Sequence, residues 1–218
     1  MTTIRTEFAM NDKDKPDLKI EESEKKKYLK AWYIEGRAYA AYSPGLELSN
    51  FVNFLGFFKV NNVKSILDAG IGSGKLCKKM LGMGFDCYGV DIADNCLDED
   101  LLYLKDKILT VGTLWDSTLF KENQFDAVVC LDVLEHIPTH YIEQVINNLY
   151  LWTKKYLLLQ IALLQDYFGS KVGEPLHLTV KPKSWWDTKL IKTKVIDEIV
   201  LKNDENRDTY TIYLIEKP

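Results

Sequence analysis

Histidine and cysteine are scarce in this chain, with three and four copies among 218 residues. The cysteines, Cys77, Cys87, Cys96 and Cys130, form no Cys-x-x-Cys pair, and no ligand cluster with zinc spacing is visible. No metal site is therefore expected, and the thiols are predicted to be reduced and partly buried, as suits the cytoplasm. No apolar run approaches the about 20 residues of a membrane span. Residues 11–27 mix Asp, Lys and Glu where a signal peptide would carry an apolar core. Basic charge is not in excess either: 28 Lys and Arg stand against 32 Asp and Glu, for a net charge of −4. That balance supplies no electrostatic reason for a nucleic-acid backbone partner. No internal repeat is present, and oligomeric state is not readable from the chain.

What is present suits one globular domain with a substantial core, 46% of residues being hydrophobic. Residues 1–20 read as a loosely attached polar tail and 21–218 as a single domain. From Glu21 to about Tyr42, Tyr28, Trp32, Tyr39 and Tyr42 recur near helical intervals. Ser43-Pro44-Gly45 breaks that pattern, and a second apolar helix carries Leu46, Phe51, Phe54, Leu55 and Phe58. Strand and helix then alternate. Short apolar runs predict strands at Lys64–Asp68, Cys87–Asp91, Ile108–Val111, Ala127–Leu131 and Tyr156–Ile161, with a helix at Lys75–Leu81. A helix over Ser184–Leu190 precedes two alternating runs, Lys194–Leu201 and Thr209–Ile215, which read as a hairpin. The predicted fold is α/β: a Rossmann-like, doubly wound sheet of about seven strands. It is mostly parallel, with an antiparallel strand in the C-terminal hairpin and helices on both faces.

The informative motif is Ile66-Leu67-Asp68-Ala69-Gly70-Ile71-Gly72-Ser73-Gly74, followed at the tip of the next strand by Asp91. In a doubly wound sheet this places a glycine turn and a carboxylate at the crevice where nucleoside cofactors bind. A dinucleotide fingerprint from Gly70 requires glycine where Lys75 stands. A phosphate loop around Gly74-Lys75 requires glycine at Ala69 and Ser or Thr at Leu76. Both fail at positions their physics demands.

The remaining pattern, Asp68-x-Gly70-x-Gly72-x-Gly74 with Tyr88-Gly89-Val90-Asp91, resembles the first motifs of class I S-adenosylmethionine-dependent methyltransferases of the small-molecule type. Phe125-Asp126-Ala127-Val128-Val129-Cys130-Leu131-Asp132-Val133-Leu134-Glu135-His136-Ile137-Pro138 is similar to that family's fourth-strand motif. The resemblance covers about residues 64–161. It implies S-adenosylmethionine as cofactor, held by Gly70, Gly72, Gly74 and Asp91, with Asp68, Ile92, Thr113, Leu114 and Leu131 beside it. Relatives often place an acid where Thr113 stands, so the adenine contact falls to backbone, Thr113 or Asp116. The resemblance also implies that residues 21–60 form a lid, with Tyr33 and Arg37 the positions to test, and that residues 162–218 supply a substrate loop and the hairpin.

Methyl transfer from a sulfonium needs alignment above all, and a hydroxyl acceptor gains from a base near neutral pKa. His136, directly after the fourth strand, and His177, in the loop after the fifth, are the candidates, with Asp132 to orient a base or bind an amine. His140 is expected to be exposed, and Trp185 and Trp186 wall a pocket or enter the core. The function expected is methyl transfer to oxygen or nitrogen of a small-molecule or sugar-like acceptor, with no membrane and no nucleic-acid partner. Two alternatives stand beside it. One is a non-catalytic cofactor-binding protein. The other follows from Asp132-x-x-Glu135-His136 with His177, which is similar to the metal-binding set of small-RNA 3′-terminal 2′-O-methyltransferases and implies a metal-assisted RNA enzyme.

Overall fold

The computed structural model of this chain describes residues 17–34 and 38–218. Arg37 and most of the predicted tail lie outside the described residues. The helices are α1 (Leu18–Ala31), α2 (Ala38–Ala41), α3 (Pro44–Phe51), α4 (Phe54–Val60), α5 (Lys75–Gly82), α6 (Lys105–Ile108), α7 (Ile142–Trp152), α8 (Gly169–Val172) and α9 (Lys183–Leu190). The strands are β1 (Ser65–Ala69), β2 (Asp86–Asp91), β3 (Leu109–Val111), β4 (Phe125–Leu131), β5 (Thr153–Ala162), β6 (Lys194–Lys202) and β7 (Asp208–Glu216).

They form one seven-stranded sheet in the order β3-β2-β1-β4-β5-β7-β6. Neighbours from β3 to β5 pair in parallel, whereas β7 runs antiparallel to both β5 and β6. The doubly wound sheet with its C-terminal hairpin is the predicted fold. Alternate residues of each central strand enter opposite cores, as a period of two requires. Ile66, Ala127 and Val129 face Leu48, Phe58, Cys77 and Met80 of α3, α4 and α5. Leu67, Val128 and Cys130 face Ile142, Leu149 and Trp152 of α7 and Trp186 of α9. Trp186 is thus core, and Trp185 packs against the same cluster. All four cysteines are buried and free.

Several boundaries differ from those read in the sequence, and the one apolar helix expected to run from Leu46 to Phe58 is two, α3 and α4, parted where Val52 turns extended (φ −112°, ψ 119°). α1 begins at Leu18, before the expected Glu21, because the Asp17 carboxylate accepts from the Lys19 N–H (3.0 Å) and caps the helix. β5 runs from Thr153 rather than Tyr156, since Thr153 pairs with Phe125 of β4 three residues before pairing with β7 begins at Tyr156. Among the described residues no helix is long and apolar enough to cross a membrane.

Candidate functional site

Strand order reverses between β1 and β4, and the carboxyl edge there opens into a cleft enclosing about 1040 Å³, part of it open to solvent. The glycine turn forms its floor. Gly70 (φ +85°) and Gly72 (φ +52°) are both left-handed, a conformation that side chains disfavour. The N–H groups of Gly70 and Ile71 both donate to the Val90 carbonyl (2.8 and 3.0 Å), which ties the turn to β2. The Asp91 carboxylate closes the arrangement: Oδ2 accepts from the Gly72 N–H (3.1 Å) and Oδ1 from the Ala93 N–H (3.0 Å).

Of the sequence-predicted cofactor residues, Asp68, Gly70, Gly72, Asp91, Ile92, Thr113, Leu114 and Leu131 line this cleft. Gly74 does not. A Cβ there would sit 2.6 Å from Leu101 Cδ1, so its place is a close packing contact at the start of α5. Lys75 points away as well, donating from Nζ to the Ala40 and Ala41 carbonyls (2.7 and 3.1 Å). The lysine that hinted at a phosphate loop instead fastens α2 to α5.

Charge in the cleft has one sign. Its ionisable lining is Glu24, Asp68, Asp91 and Asp132, together with the tyrosines and His136, and no lysine or arginine is among the described lining residues. Such a site favours a cation and repels a pyrophosphate. Burial pushes Asp68 up to about 8, helped by the neighbouring Asp91 charge. Burial also raises Asp91 to about 6, against its backbone hydrogen bonds, which lower it. Since both folded values lie above the ordinary carboxylate value, the unfolded chain releases these protons first, and stability of the free protein falls as pH rises from about 4 to about 8. Asp68→Asn removes the larger contribution. Thermal melts without ligand are expected to show the variant about 1–3 kcal/mol more stable than wild type near pH 9 and equal to it near pH 4. A gap that does not grow with pH would refute this account.

A roof comes from Trp32 at the end of α1 and Tyr39 of α2. Trp32 lies over Gly72, where an added Cβ would be 3.1 Å from Trp32 Cη2. Tyr39 packs on Trp32 with ring centroids 4.8 Å apart. Asn95 donates to the Leu29 carbonyl (3.0 Å), and buried Lys27 donates to the Pro175 carbonyl (3.4 Å), so α1 is held at both sides. Tyr33, one of the expected lid residues, is 70% exposed. It follows Trp32 by one residue beyond the end of α1 and faces outward. The i, i+4 pair Tyr28 and Trp32 was the usable sequence signal.

At the far end stand Asp132 and His136, both lining the cleft. Asp132 holds a left-handed backbone (φ +62°), rare outside glycine and asparagine. Burial lowers His136 to about 3, and the neighbouring His177 adds to the effect, so its imidazole is neutral at physiological pH. Its Nδ1 is 2.7 Å from the Tyr28 hydroxyl. His177 lies outside the cleft lining, yet its ring centroid is 4.6 Å from that of His136. Backbone bonds bring the two together: the N–H groups of Leu178 and Thr179 both donate to the Glu135 carbonyl at 2.8 Å. His140 is exposed. Asp116 accepts from the Thr118 N–H and hydroxyl (2.8 and 2.7 Å), whereas the buried Thr113 Oγ1 has no partner among the described residues.

The family model for the methyltransferase domain matches residues 39–192. The chain belongs to that methyltransferase family. Its fold is that of class I methyltransferases. The methyltransferase is 32% identical over 79 residues to a ubiquinone biosynthesis O-methyltransferase of Thiobacillus denitrificans, covering 34% of each chain. A protein of the same description from Alkalilimnicola ehrlichii is 35% identical over 82 residues, or 34% of this chain and 32% of that one. The chain thus matches about a third of the length of these relatives. In fold it is similar to magnesium protoporphyrin IX methyltransferase of Synechocystis PCC 6803, solved with bound S-adenosylmethionine. The TM-score is 0.62 at 16% identity, over 98% of this chain and 100% of that one.

The residues present suit the cofactor. An acidic cleft accepts a sulfonium, the left-handed glycines leave room for close approach, and the unpartnered Thr113 hydroxyl offers a hydrogen bond in a buried position.

Proposed function

We propose that this methyltransferase moves a methyl group to a hydroxyl oxygen of a small-molecule acceptor. The supporting observation is the continuity of the cleft: the glycine turn and Asp91 at one end run directly to Asp132 and a neutral His136 at the other. The relatives described as O-methyltransferases favour oxygen over nitrogen. The acidic lining disfavours a polyanionic acceptor such as RNA.

When bound, S-adenosylmethionine supplies an electrophilic methyl group with a neutral thioether as leaving group. The chain's own residues then have separable tasks. Asp91, already fixed by two backbone N–H groups, keeps free lone pairs on both oxygens for the ribose hydroxyls. Thr113 Oγ1, buried and without a partner among the described residues, would accept from the adenine amino group, since Asp116 is engaged elsewhere. Trp32 and Tyr39 cover the turn and exclude water from the reacting centre. Asp132 and His136 face the acceptor, whose oxygen must lie in line with the methyl carbon and the sulfur.

The test is S-adenosylhomocysteine formation against a panel of phenols, vicinal diols, sugars and amines. Turnover is expected with a hydroxylated acceptor. Because burial takes His136 far below the near-neutral range a general base needs, its part is to orient the acceptor, and His136→Gln should lower kcat/KM for that acceptor by about 10²-fold while cofactor affinity changes little, the size typical of a misplaced reactant. Turnover confined to amines would overturn the oxygen assignment.

A further inference from the structure

We propose that β6 is the edge through which two copies of this chain pair, antiparallel, about a two-fold axis at Val200. The inference is independent of the methyl-transfer reading.

β6 ends the sheet, and among the described residues only β7 pairs with it. Along Lys194–Lys202, Val195, Ile196 and Leu201 are exposed, and Ile199 and Val200 are half-buried. A long edge of this apolar content, with free N–H and C=O groups, is a template for another strand. Bulges and charged residues blunt such edges, and here both lie in the first half of the strand. Ile196 is the extra residue of a bulge against β7, and Asp197 follows it. The second irregularity, at Leu201 and Lys202, has its extra residue, Thr209, in β7. From Asp197 to Lys202, then, β6 itself is regular.

Backbone direction can be read residue by residue. The Thr209 hydroxyl donates to the Leu201 carbonyl, and the Asn203 N–H donates to the Arg207 carbonyl, both at 3.0 Å. The odd-numbered residues therefore turn their backbone groups toward β7. By alternation, Glu198, Val200 and Lys202 turn theirs outward. The Glu198 N–H fits this pattern, donating to the adjacent Asp197 Oδ1 (2.9 Å).

Side-chain chemistry then selects the register. With the axis at Val200, Val200 meets Val200 of the second copy and Glu198 meets its Lys202, each as a pair exchanging two backbone hydrogen bonds. On the other face Ile199 meets Leu201. Ile199 also lines the groove beside Phe54, Phe57, Leu158 and Ile212, so the second copy's Leu201 extends an existing apolar surface. Neighbouring registers lose this match. An axis at Ile199 sets Asp197 against Leu201, and one at Leu201 sets Glu198 against Asp204. An axis at Glu198 opposes Glu198 to itself and Lys194 to Lys202. Like charges directly opposite destabilise a pair of strands, whereas opposite charges stabilise it. Within one chain Glu198 is 3.0 Å from Lys183 and Lys202 is 3.5 Å from Asp208. Both carboxylates and Lys202 are solvent-exposed, so these bonds are weak competitors.

The experiment is sedimentation equilibrium of tag-free full-length protein from about 1 to 500 µM, the range in which small interfaces associate. A shift from one chain to two is expected. Val200→Pro removes an outward N–H and leaves the β7 side intact, as edge strands allow. It should weaken association at least about 10-fold through the two hydrogen bonds at the axis. Near-ultraviolet circular dichroism and the melting curve check its fold. Glu198→Lys and Lys202→Glu provide a second test that leaves the backbone untouched. Each variant alone should be monomeric across the range. Mixed in equal amounts they should form a one-to-one dimer, because every cross-axis pair then has opposite charges. A monomeric wild type, as when the chain's own residues 1–16 cover the edge, overturns the proposal. So does a dimer indifferent to both charge reversals, which would place the contact on another surface.

Discussion

Replacing Asp91 with Ala is expected to weaken S-adenosylmethionine binding by about 100-fold or more while leaving the fold intact. The carboxylate sits at the tip of β2 with each oxygen already taking one backbone N–H, from Gly72 and Ala93. It is therefore rigid before any ribose arrives, and hydrogen bonds to it are charge-assisted. Losing two such bonds costs about 3 kcal/mol, or roughly two powers of ten in affinity. The variant also frees the Gly72 N–H in the turn that the cofactor must approach. A pH signature separates this role from simple damage. Burial holds Asp91 at about 6 in the free protein, and ligand binding requires the charged form. Wild-type affinity should thus fall as pH drops below 6, by up to about tenfold per unit. Asp91→Ala should bind weakly but lack that limb. Calorimetry at pH 5, 6 and 8 decides it, and a variant that keeps wild-type affinity sinks the assignment.

Gly70→Ala should be the most damaging single substitution in the turn. Its φ of +85° already penalises a side chain, and the new Cβ would lie 2.4 Å from Val133 Cγ2. Val133 belongs to the segment after β4 that also lines the cleft, so it cannot retreat without moving Asp132 beside it. The left-handed penalty of about 1 kcal/mol and a clash of about 1–3 kcal/mol sum to roughly 2–4 kcal/mol. In a domain of this size that lowers Tm by about 5–15 °C. Gly84→Ala is the control: φ is +84°, but nothing lies within 4 Å of the added Cβ. It should cost only about 1 kcal/mol, for the backbone conformation alone. Equal losses at the two positions would show that the Val133 contact is not the cause.

The cofactor half of the site was legible because its determinants are local. Asp68, Gly70, Gly72 and Asp91 fall on one strand–turn–helix–strand unit, and the parallel pairing of β1 with β2 brings the turn to the acid. The acceptor half was less so. His136 was readable from its place after β4, whereas the nearness of His177 depends on hydrogen bonds between a loop and the Glu135 carbonyl. Gly74 satisfied the motif but serves packing against Leu101 rather than the cleft. Of the two positions singled out in the expected lid, Tyr33 turns outward, whereas Tyr28 and Trp32, one helical turn apart, line the cleft.

By itself the sequence determined the doubly wound sheet, its C-terminal hairpin and the glycine turn with Asp91, because apolar periodicity and short-range backbone demands are written residue by residue. The tertiary structure alone decided which groups lose water and which meet across the chain. Burial raises Asp68 and Asp91 and keeps His136 neutral, Lys75 is drawn away to the α2 carbonyls, and Glu135, His136 and His177 converge. Desolvation and long-range contact are properties of the packed molecule, and no window of sequence contains them.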